Sequence, residues 1–189
     1  MIPPELYFLY FLNFLFLFLL SRLFFERGGK WTFPRFLSLL PFMIDVGFLA
    51  CASLGIVHPA FALDALLSHG LEGGAVLLSV SSFILVSYAI GGHRKSVPLC
   101  HQPHDRPTHL VVEGAYRKVR HPLYTAHLLL LFGVFVLVPH WISFLTFVYG
   151  VLMLVFTARK EEEQFLSSEF GNEYQTYMEK TGRFLPRWK

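Results

Sequence analysis

The stretch "LYTAHLLLLFGVFVLVPHWISFLTFVYGVLMLVFT", Leu123 to Thr157, decides the fold of this chain. It is apolar almost throughout and is too long for one membrane crossing, which takes roughly 20 residues. Near its middle, "VPHW" places Pro139 where a continuing helix would lose a backbone hydrogen bond. The stretch therefore predicts a tight helical hairpin of two membrane spans.

The composition places the whole chain in the same class. Of its 189 residues, 54% are hydrophobic and 17% aromatic, which is too apolar for a water-soluble domain of this size. The length leaves room for several spans and one small module facing the cytosol, but not for a separate soluble catalytic domain. Any functional site must be built from helix ends and loops.

Three further apolar segments precede the hairpin. They run from Leu6 to Phe25, from Phe36 to Val57 and from Leu71 to Ile90. The first has no basic residue before Arg22, unlike a signal peptide, so we interpret it as a retained helix. The sequence thus predicts an all-α integral membrane protein with about five transmembrane helices.

The basic residues predict the orientation of these spans. Lysine and arginine are concentrated in the first loop, the third loop and the carboxyl-terminal segment, whereas residues 58–70 and the hairpin tip contain none. Cytoplasmic loops are enriched in these residues, so we expect the amino terminus outside and the carboxyl terminus in the cytosol. This topology explains the net charge of +3 and requires no nucleic-acid partner.

A change in composition at Gly91 predicts two parts. Residues 1–91 would form a bundle of three transmembrane helices on the substrate side. Residues 92–189 would form a catalytic module, containing a polar loop, the hairpin and a carboxyl-terminal amphipathic helix. The aromatic residues of that last helix recur at helical intervals suited to the bilayer surface, at Phe165, Phe170, Tyr174 and Tyr177.

The hairpin also predicts a meeting of two polar motifs. "RHPLY", Arg120 to Tyr124, stands at its entry, and "RKEEE", Arg159 to Glu163, follows its exit. The two ends of an antiparallel hairpin lie at the same depth, so we expect these motifs to be neighbours. Taken separately, the first motif is typical of a topology signal and the second of a solvated helix face.

With their surroundings, these motifs resemble the isoprenylcysteine carboxyl methyltransferase family and its bacterial relatives, and more loosely the phospholipid methyltransferases. The resemblance covers roughly the second half of the chain. The matching residues are Leu110, Val111, Gly114 and Tyr116; Arg120, His121, Pro122 and Tyr124; Glu161 and Glu162; Phe170, Gly171, Glu173 and Tyr174; Arg183 and Pro186.

The resemblance implies a membrane-embedded enzyme that binds S-adenosyl-L-methionine in a cytosol-facing pocket without a Rossmann fold. The pocket would be formed by the loop before the fourth helix and the extension of the fifth. Two positions depart from the family pattern: Thr108 stands where a histidine is usual, with His109 displaced by one, and the basic residue before the glutamates, Arg159, is also shifted. The implied cofactor-binding residues are Thr108, His109, Leu110, Val111, Tyr116, His121, Pro122, Leu123, Tyr124 and Glu162.

The polar loop carries "CHQPHD", Cys100 to Asp105, which has the residue types of a metal site. Its potential ligands are too crowded for a standard zinc spacing, so we predict no metal and expect His101 or Gln102 to contact the cofactor.

The chemistry of methyl transfer suits the membrane surface, where a polar cofactor and an apolar acceptor meet. Holding donor and nucleophile together and excluding water is most of the task. For a carboxylate acceptor, an arginine could grip the anion with two hydrogen bonds, and Arg120 and Arg159 are the predicted catalytic residues.

The partner is therefore predicted to be a lipophilic or lipidated small molecule in a lipid membrane, with a prenylcysteine-type carboxylate favoured. A phospholipid amine and a small thiol are the alternatives. An NADPH-dependent enzyme resembling the sterol reductases and a non-enzymatic membrane adaptor remain further alternatives.

Overall fold

The computed structural model describes residues 7–9, 11–15, 33–60, 65–91 and 110–187. Residues 7–9 and 11–15 are helical. Five longer helices follow: α1 (Phe33–Ser53), α2 (Ala65–Gly91), α3 (Pro122–Leu137), α4 (Trp141–Leu166) and α5 (Gly171–Lys180), with a 3₁₀ turn at Gly114–Arg117. The described ranges contain no named strand, and the all-α prediction is confirmed for them.

The predicted hairpin is confirmed. α3 ends at Leu137 and α4 begins at Trp141, so the break falls at the segment that contains Pro139. The two helices pack antiparallel through aromatic pairs: the ring centroids of Phe132 and Phe147 are 5.3 Å apart, and those of Phe135 and Phe144 are 5.6 Å apart.

The structure supports part of the predicted set of spans. Ser68–Ile90 and Trp141–Leu166 are long and apolar enough to cross a membrane, while Leu39–Ser53 and Pro122–Leu137 are shorter apolar helices. In the predicted first span, residues 16–25 lie outside the described ranges. The count of five spans stays a prediction.

The bounds of the helices around the second loop differ from those predicted. α1 ends at Ser53 rather than Val57 because Gly55 adopts a φ of 70°, a left-handed conformation that an α-helix does not continue through. Pro41 is accommodated inside this helix. α2 begins at Ala65 rather than Leu71, because the six residues ahead of Leu71 are also helical.

The chain divides into two compact units. Unit 1 comprises Met1–Ser81 and Leu128–Val151, and unit 2 comprises Ser82–His127 and Leu152–Lys189. The core of unit 1 is an apolar cluster formed by Phe48, Leu49, Ala52, Val134 and Val138. The division at residue 91 that the composition predicts stays a prediction.

Unit 2 contains the start of α3, the polar end of α4 and the whole of α5. The continuous apolar stretch of α4 ends at Thr157, and the charged residues Arg159 to Glu163 follow it before the helix ends at Leu166. Within the unit, the Ser82 hydroxyl donates to the Ala126 carbonyl over 2.7 Å, which ties the end of α2 to α3.

The carboxyl-terminal aromatic residues do not all face outward. The helix breaks after Leu166 and restarts at Gly171. Tyr174 is 3% exposed and stacks on Phe165 with ring centroids 4.8 Å apart, and Tyr177 is 8% exposed. The expectation that these tyrosines lie on the bilayer surface was wrong, because α5 packs its aromatic face into unit 2.

Candidate active site

A buried carboxylate lies at the centre of the candidate site. Glu162, near the end of α4, is only 3% exposed. Its oxygens accept hydrogen bonds from three side chains: Arg120 Nε at 2.9 Å, His121 Nε2 at 3.2 Å and Arg183 Nη2 at 2.6 Å. The prediction that "RHPLY" and the glutamates are neighbours is therefore confirmed by direct contacts.

The two arginines hold Glu162 in different ways. Arg120 uses Nε for the carboxylate and Nη1 for two carbonyls, those of Met178 at 3.2 Å and Thr181 at 2.5 Å. Arg183 grips the carboxylate with both Nε and Nη2. Such two-pronged pairs are among the stronger hydrogen bonds in proteins.

The electrostatic balance keeps Glu162 ionised. Burial raises the pKa of the Glu162 carboxyl, but the hydrogen bonds from His121, Arg183 and Arg120 outweigh burial and hold that pKa well below its usual range. In turn, the hydrogen bond to Glu162 raises the pKa of the Arg183 guanidinium. The cluster is thus a compensated buried ion network.

His121 and Tyr124 connect this network to a second carboxylate. Nδ1 of His121 lies 3.5 Å from Oε2 of Glu161, and the Tyr124 hydroxyl donates to Oε1 of Glu161 over 2.6 Å. The imidazole and phenol rings are stacked, with centroids 5.3 Å apart and planes 1° from parallel. The parallel rings of His121 and Tyr124 therefore lie beside the Glu161 carboxylate.

A carboxyl-terminal strap, defined here as residues 181–184, runs beside residues 118–121. The amides of Arg120 and His121 donate to the carbonyls of Gly182 and Arg183, over 2.9 and 3.1 Å. Val119 and Gly182 form an isolated parallel bridge. At the end of the strap, the Phe184 carbonyl accepts a hydrogen bond from the Thr125 hydroxyl over 2.7 Å. Arg183 therefore reaches Glu162 because its backbone is held along the entry to α3.

The helix α5 supports the site from a further side of unit 2. The Tyr177 hydroxyl donates to the Tyr116 carbonyl over 2.6 Å, and the Thr181 hydroxyl donates to the Tyr177 carbonyl over 2.7 Å. Burial raises the pKa of both Tyr174 and Tyr177, so these phenols remain neutral hydrogen-bond donors.

The predicted site residues fall into three groups. Arg120, His121, Tyr124 and Glu162 are brought into one network, as described above. Pro122 and Leu123 are buried at the start of α3, while Leu110, Val111 and Tyr116 are half-buried. The remaining predicted cofactor residues lie outside the described residues: His101, Gln102, Thr108 and His109.

The structure changes the interpretation of three charged residues. Glu162 is buried and does not belong to a solvated helix face, whereas the next residue, Glu163, is exposed. Arg120 is engaged by Glu162 and two carbonyls. Arg159 is exposed, and no ion pair of its guanidinium occurs among the described residues.

Arg183, Thr181 and Glu161 were not predicted as site residues. Arg183 and Glu161 belong to motifs that carried the resemblance, and that membership was the available signal. Nothing in the sequence pattern singles out Thr181.

The comparison with protein families agrees with this geometry. A sequence model described as phospholipid methyltransferase matches residues 73–173, more than half of the 189-residue chain. The chain belongs to the phospholipid methyltransferase family. This methyltransferase carries Arg120, His121 and Glu162 inside the matched range, whereas Arg183 lies beyond it. Comparison with characterised proteins gives no match.

Family membership, together with the two long apolar helices found among the described residues, makes this chain a membrane methyltransferase.

Proposed function

We propose that the chain transfers a methyl group from S-adenosyl-L-methionine to a lipophilic acceptor at the cytosolic membrane surface. The observation that carries the proposal is the buried Glu162, which joins the entry of α3 to the end of α4. This junction fixes the half-buried His121, Tyr124 and Glu161 as one group in unit 2. Such a preformed polar group at helix ends is suited to a polar cofactor.

The residues present fit S-adenosyl-L-methionine by their chemistry. The Glu161 carboxylate can accept from an ammonium or from ribose hydroxyls. The helix α3 begins at Pro122, and the backbone amides of a helix amino terminus suit the cofactor's carboxylate. The stacked rings offer a flat apolar surface to adenine. When bound, the cofactor supplies an electrophilic methyl group on a sulfonium.

Glu162 contributes to this proposed pocket by positioning. Its two oxygens already accept from Arg120, His121 and Arg183, so it holds the imidazole that the cofactor would meet. We retain all ten predicted cofactor residues, together with His101 and Gln102, as proposed pocket residues.

Arg159 is the better candidate for the acceptor side. Because Arg120 is occupied, the exposed guanidinium of Arg159 is the one that can take an incoming anion. A planar guanidinium matches a carboxylate with two hydrogen bonds. We therefore propose a prenylcysteine-type carboxylate as the acceptor, with a lipid amine or thiol as the competing classes. Charge neutralisation between a carboxylate and a sulfonium favours transfer where water is excluded.

The test separates binding from turnover. Purified protein is titrated with S-adenosylhomocysteine and with NADPH, and turnover is measured on prenylated thioacids, lipid amines and simple thiols. Arg159→Ala should leave the affinity for S-adenosylhomocysteine within a few-fold and lower turnover of the carboxylate by on the order of a hundredfold or more. Arg159→Lys should recover little of it.

Lys160→Ala is the matched control, because Lys160 is the exposed cation next along α4. Binding of NADPH without S-adenosylhomocysteine would refute the methyl-transfer proposal. Loss of cofactor affinity in Arg159→Ala would place Arg159 on the cofactor side instead. Turnover of the amine alone would identify a lipid amine as the acceptor.

The proposed arrangement in the membrane has five spans, with the amino terminus outside and the site in the cytosol. The family and the apolar helices support a membrane location. The distribution of basic residues supports the orientation.

A further inference from the structure

Unit 1 contains a buried acid that the candidate site does not use. Asp45 lies in α1 and is 1% exposed, and neither of its carboxylate oxygens has a hydrogen-bond partner among the described residues. Its neighbours at helical spacing, Phe42, Phe48 and Leu49, are also buried. The acid therefore stands on the apolar, inward face of its helix.

Burying a carboxylate without a partner is strongly unfavourable in a protein interior. An acid inside an apolar helix can be explained by an interhelical hydrogen bond or by a function. Within the described ranges Asp45 makes no hydrogen bond, which argues against the interhelical hydrogen bond. In a membrane protein, such an ionisable residue marks a ligand, ion or proton site.

Two other helices of unit 1 contribute unsatisfied polar atoms. Asn13 is fully buried; its amide nitrogen donates to the Leu9 carbonyl of its own helix at 3.0 Å, which leaves Oδ1 without a partner. The buried hydroxyl of Ser79 in α2 is also without a partner. All the unsatisfied buried side-chain atoms found in the described residues belong to these two residues and Asp45.

The contrast with unit 2 shows that these atoms are not a general feature of the fold. Glu162 is almost as buried as Asp45, yet three side chains satisfy it. Glu162 is fully compensated by protein side chains, whereas Asp45 has no such partner among the described residues. This difference is expected if a ligand supplies the partner of Asp45.

We propose that Asp45 binds the primary ammonium group of an amphiphilic amine. The Asp45 carboxylate is an acceptor only, and an ammonium offers three donors together with the charge that neutralises it. A hydroxyl would not neutralise the acid, and a quaternary ammonium has no hydrogen to donate. The apolar neighbours Phe42, Phe48 and Leu49 suit the alkyl chain of the ligand. This proposal does not rest on the proposed methyl transfer.

The experiment measures the thermal unfolding midpoint of the purified protein in a neutral detergent at pH 7. Three probes of equal chain length are compared: dodecylamine, dodecanol and dodecyltrimethylammonium. Dodecylamine at about a hundred times its dissociation constant should raise the midpoint by on the order of 5 °C or more, and the other two should not. Asp45→Asn should abolish the rise.

Glu72→Gln is the matched control, because Glu72 is also an acid of unit 1 but is paired with His69 at 3.0 Å. It should keep the response to dodecylamine. Without ligand, Asp45→Asn should unfold at the same temperature as the wild type or higher, since it removes an uncompensated acid.

A second measurement needs no variant. A carbodiimide that reacts with carboxyl groups is applied to the wild-type protein, and peptide mass spectrometry measures labelling of Asp45 with and without dodecylamine. Dodecylamine should reduce the labelling at least several-fold, and dodecanol should not. Equal stabilisation by all three probes, an undiminished response in Asp45→Asn, or unprotected labelling would each overturn the proposal.

Discussion

Replacing Glu162 by glutamine tests whether the buried ion network holds the site together. The change keeps the shape of the side chain and removes its charge. Glu162 is buried and bonded to Arg120, His121 and Arg183, so the substitution leaves two guanidinium groups without their shared anion. If Glu162 were an exposed carboxylate at a helix end, it would contribute little to the free energy of unfolding, and even Glu162→Ala should leave the fold intact.

The magnitude follows from burial. Removing one member of a buried pair typically costs about 3–5 kcal/mol, because the partner charge is left uncompensated. The Arg120 side chain is 9% exposed, so its pair with Glu162 belongs to this class, whereas Arg183 is 31% exposed and water screens part of its loss. We expect a net destabilisation of about 3 kcal/mol, which lowers the unfolding midpoint of a chain of this length by roughly 6–12 °C.

The assay is thermal unfolding in detergent, followed in parallel with S-adenosylhomocysteine binding. Glu163→Gln is the control, because it makes the same chemical change at the next, exposed position. It should lie within about 0.5 kcal/mol of the wild type. A midpoint for Glu162→Gln within 1–2 °C of that control, roughly the shift of a fraction of a kcal/mol, would refute the reasoning.

The pH dependence of stability provides a second test with the same substitution. The folded pKa of Glu162 is depressed, so its contribution is fully present above the unfolded value, near pH 4.3, and is lost as the pH falls below it. The stability difference between wild type and Glu162→Gln should therefore be flat from pH 7 to about pH 5 and should shrink below about pH 4.3. A difference that grows on acidification would contradict the assignment.

Two further predictions concern the support of the site and the orientation of the chain. Tyr177→Phe removes the hydrogen bond to the Tyr116 carbonyl and should lower the free energy of unfolding, measured by chemical denaturation, by about 1 kcal/mol. The control Tyr88→Phe, at an exposed position, should leave it unchanged. Equal effects of the two substitutions would show that the Tyr177 hydrogen bond contributes nothing. A reporter fused after Lys189 should report the cytosol and one inserted near Ala65 the outer side, and a cytosolic signal at Ala65 would exclude the five-span topology.

The sequence alone determined the hairpin and what it brings together. Pro139 breaks an apolar run that is too long for one span, and a hairpin places its entry and exit side by side. The neighbourhood of Arg120, His121 and Glu162 follows from that local break, and the structure confirms it. The motifs around them are local patterns with fixed spacing, so they carried a family resemblance that implied a membrane methyltransferase.

Only the tertiary structure decided which charges are buried and what covers the aromatic face of α5. Glu161, Glu162 and Glu163 are chemically identical. Successive residues of a helix point about 100° apart, so the contacts that pack against the helix decide which of the three side chains is buried. The partners of Glu162 are Arg120, His121 and Arg183, and Arg183 comes from a strap without helical or strand periodicity. In the same way, the spacing of Tyr174 and Tyr177 predicts an apolar face, but a bilayer and a protein interior satisfy such a face equally well. The long-range contacts decided between them.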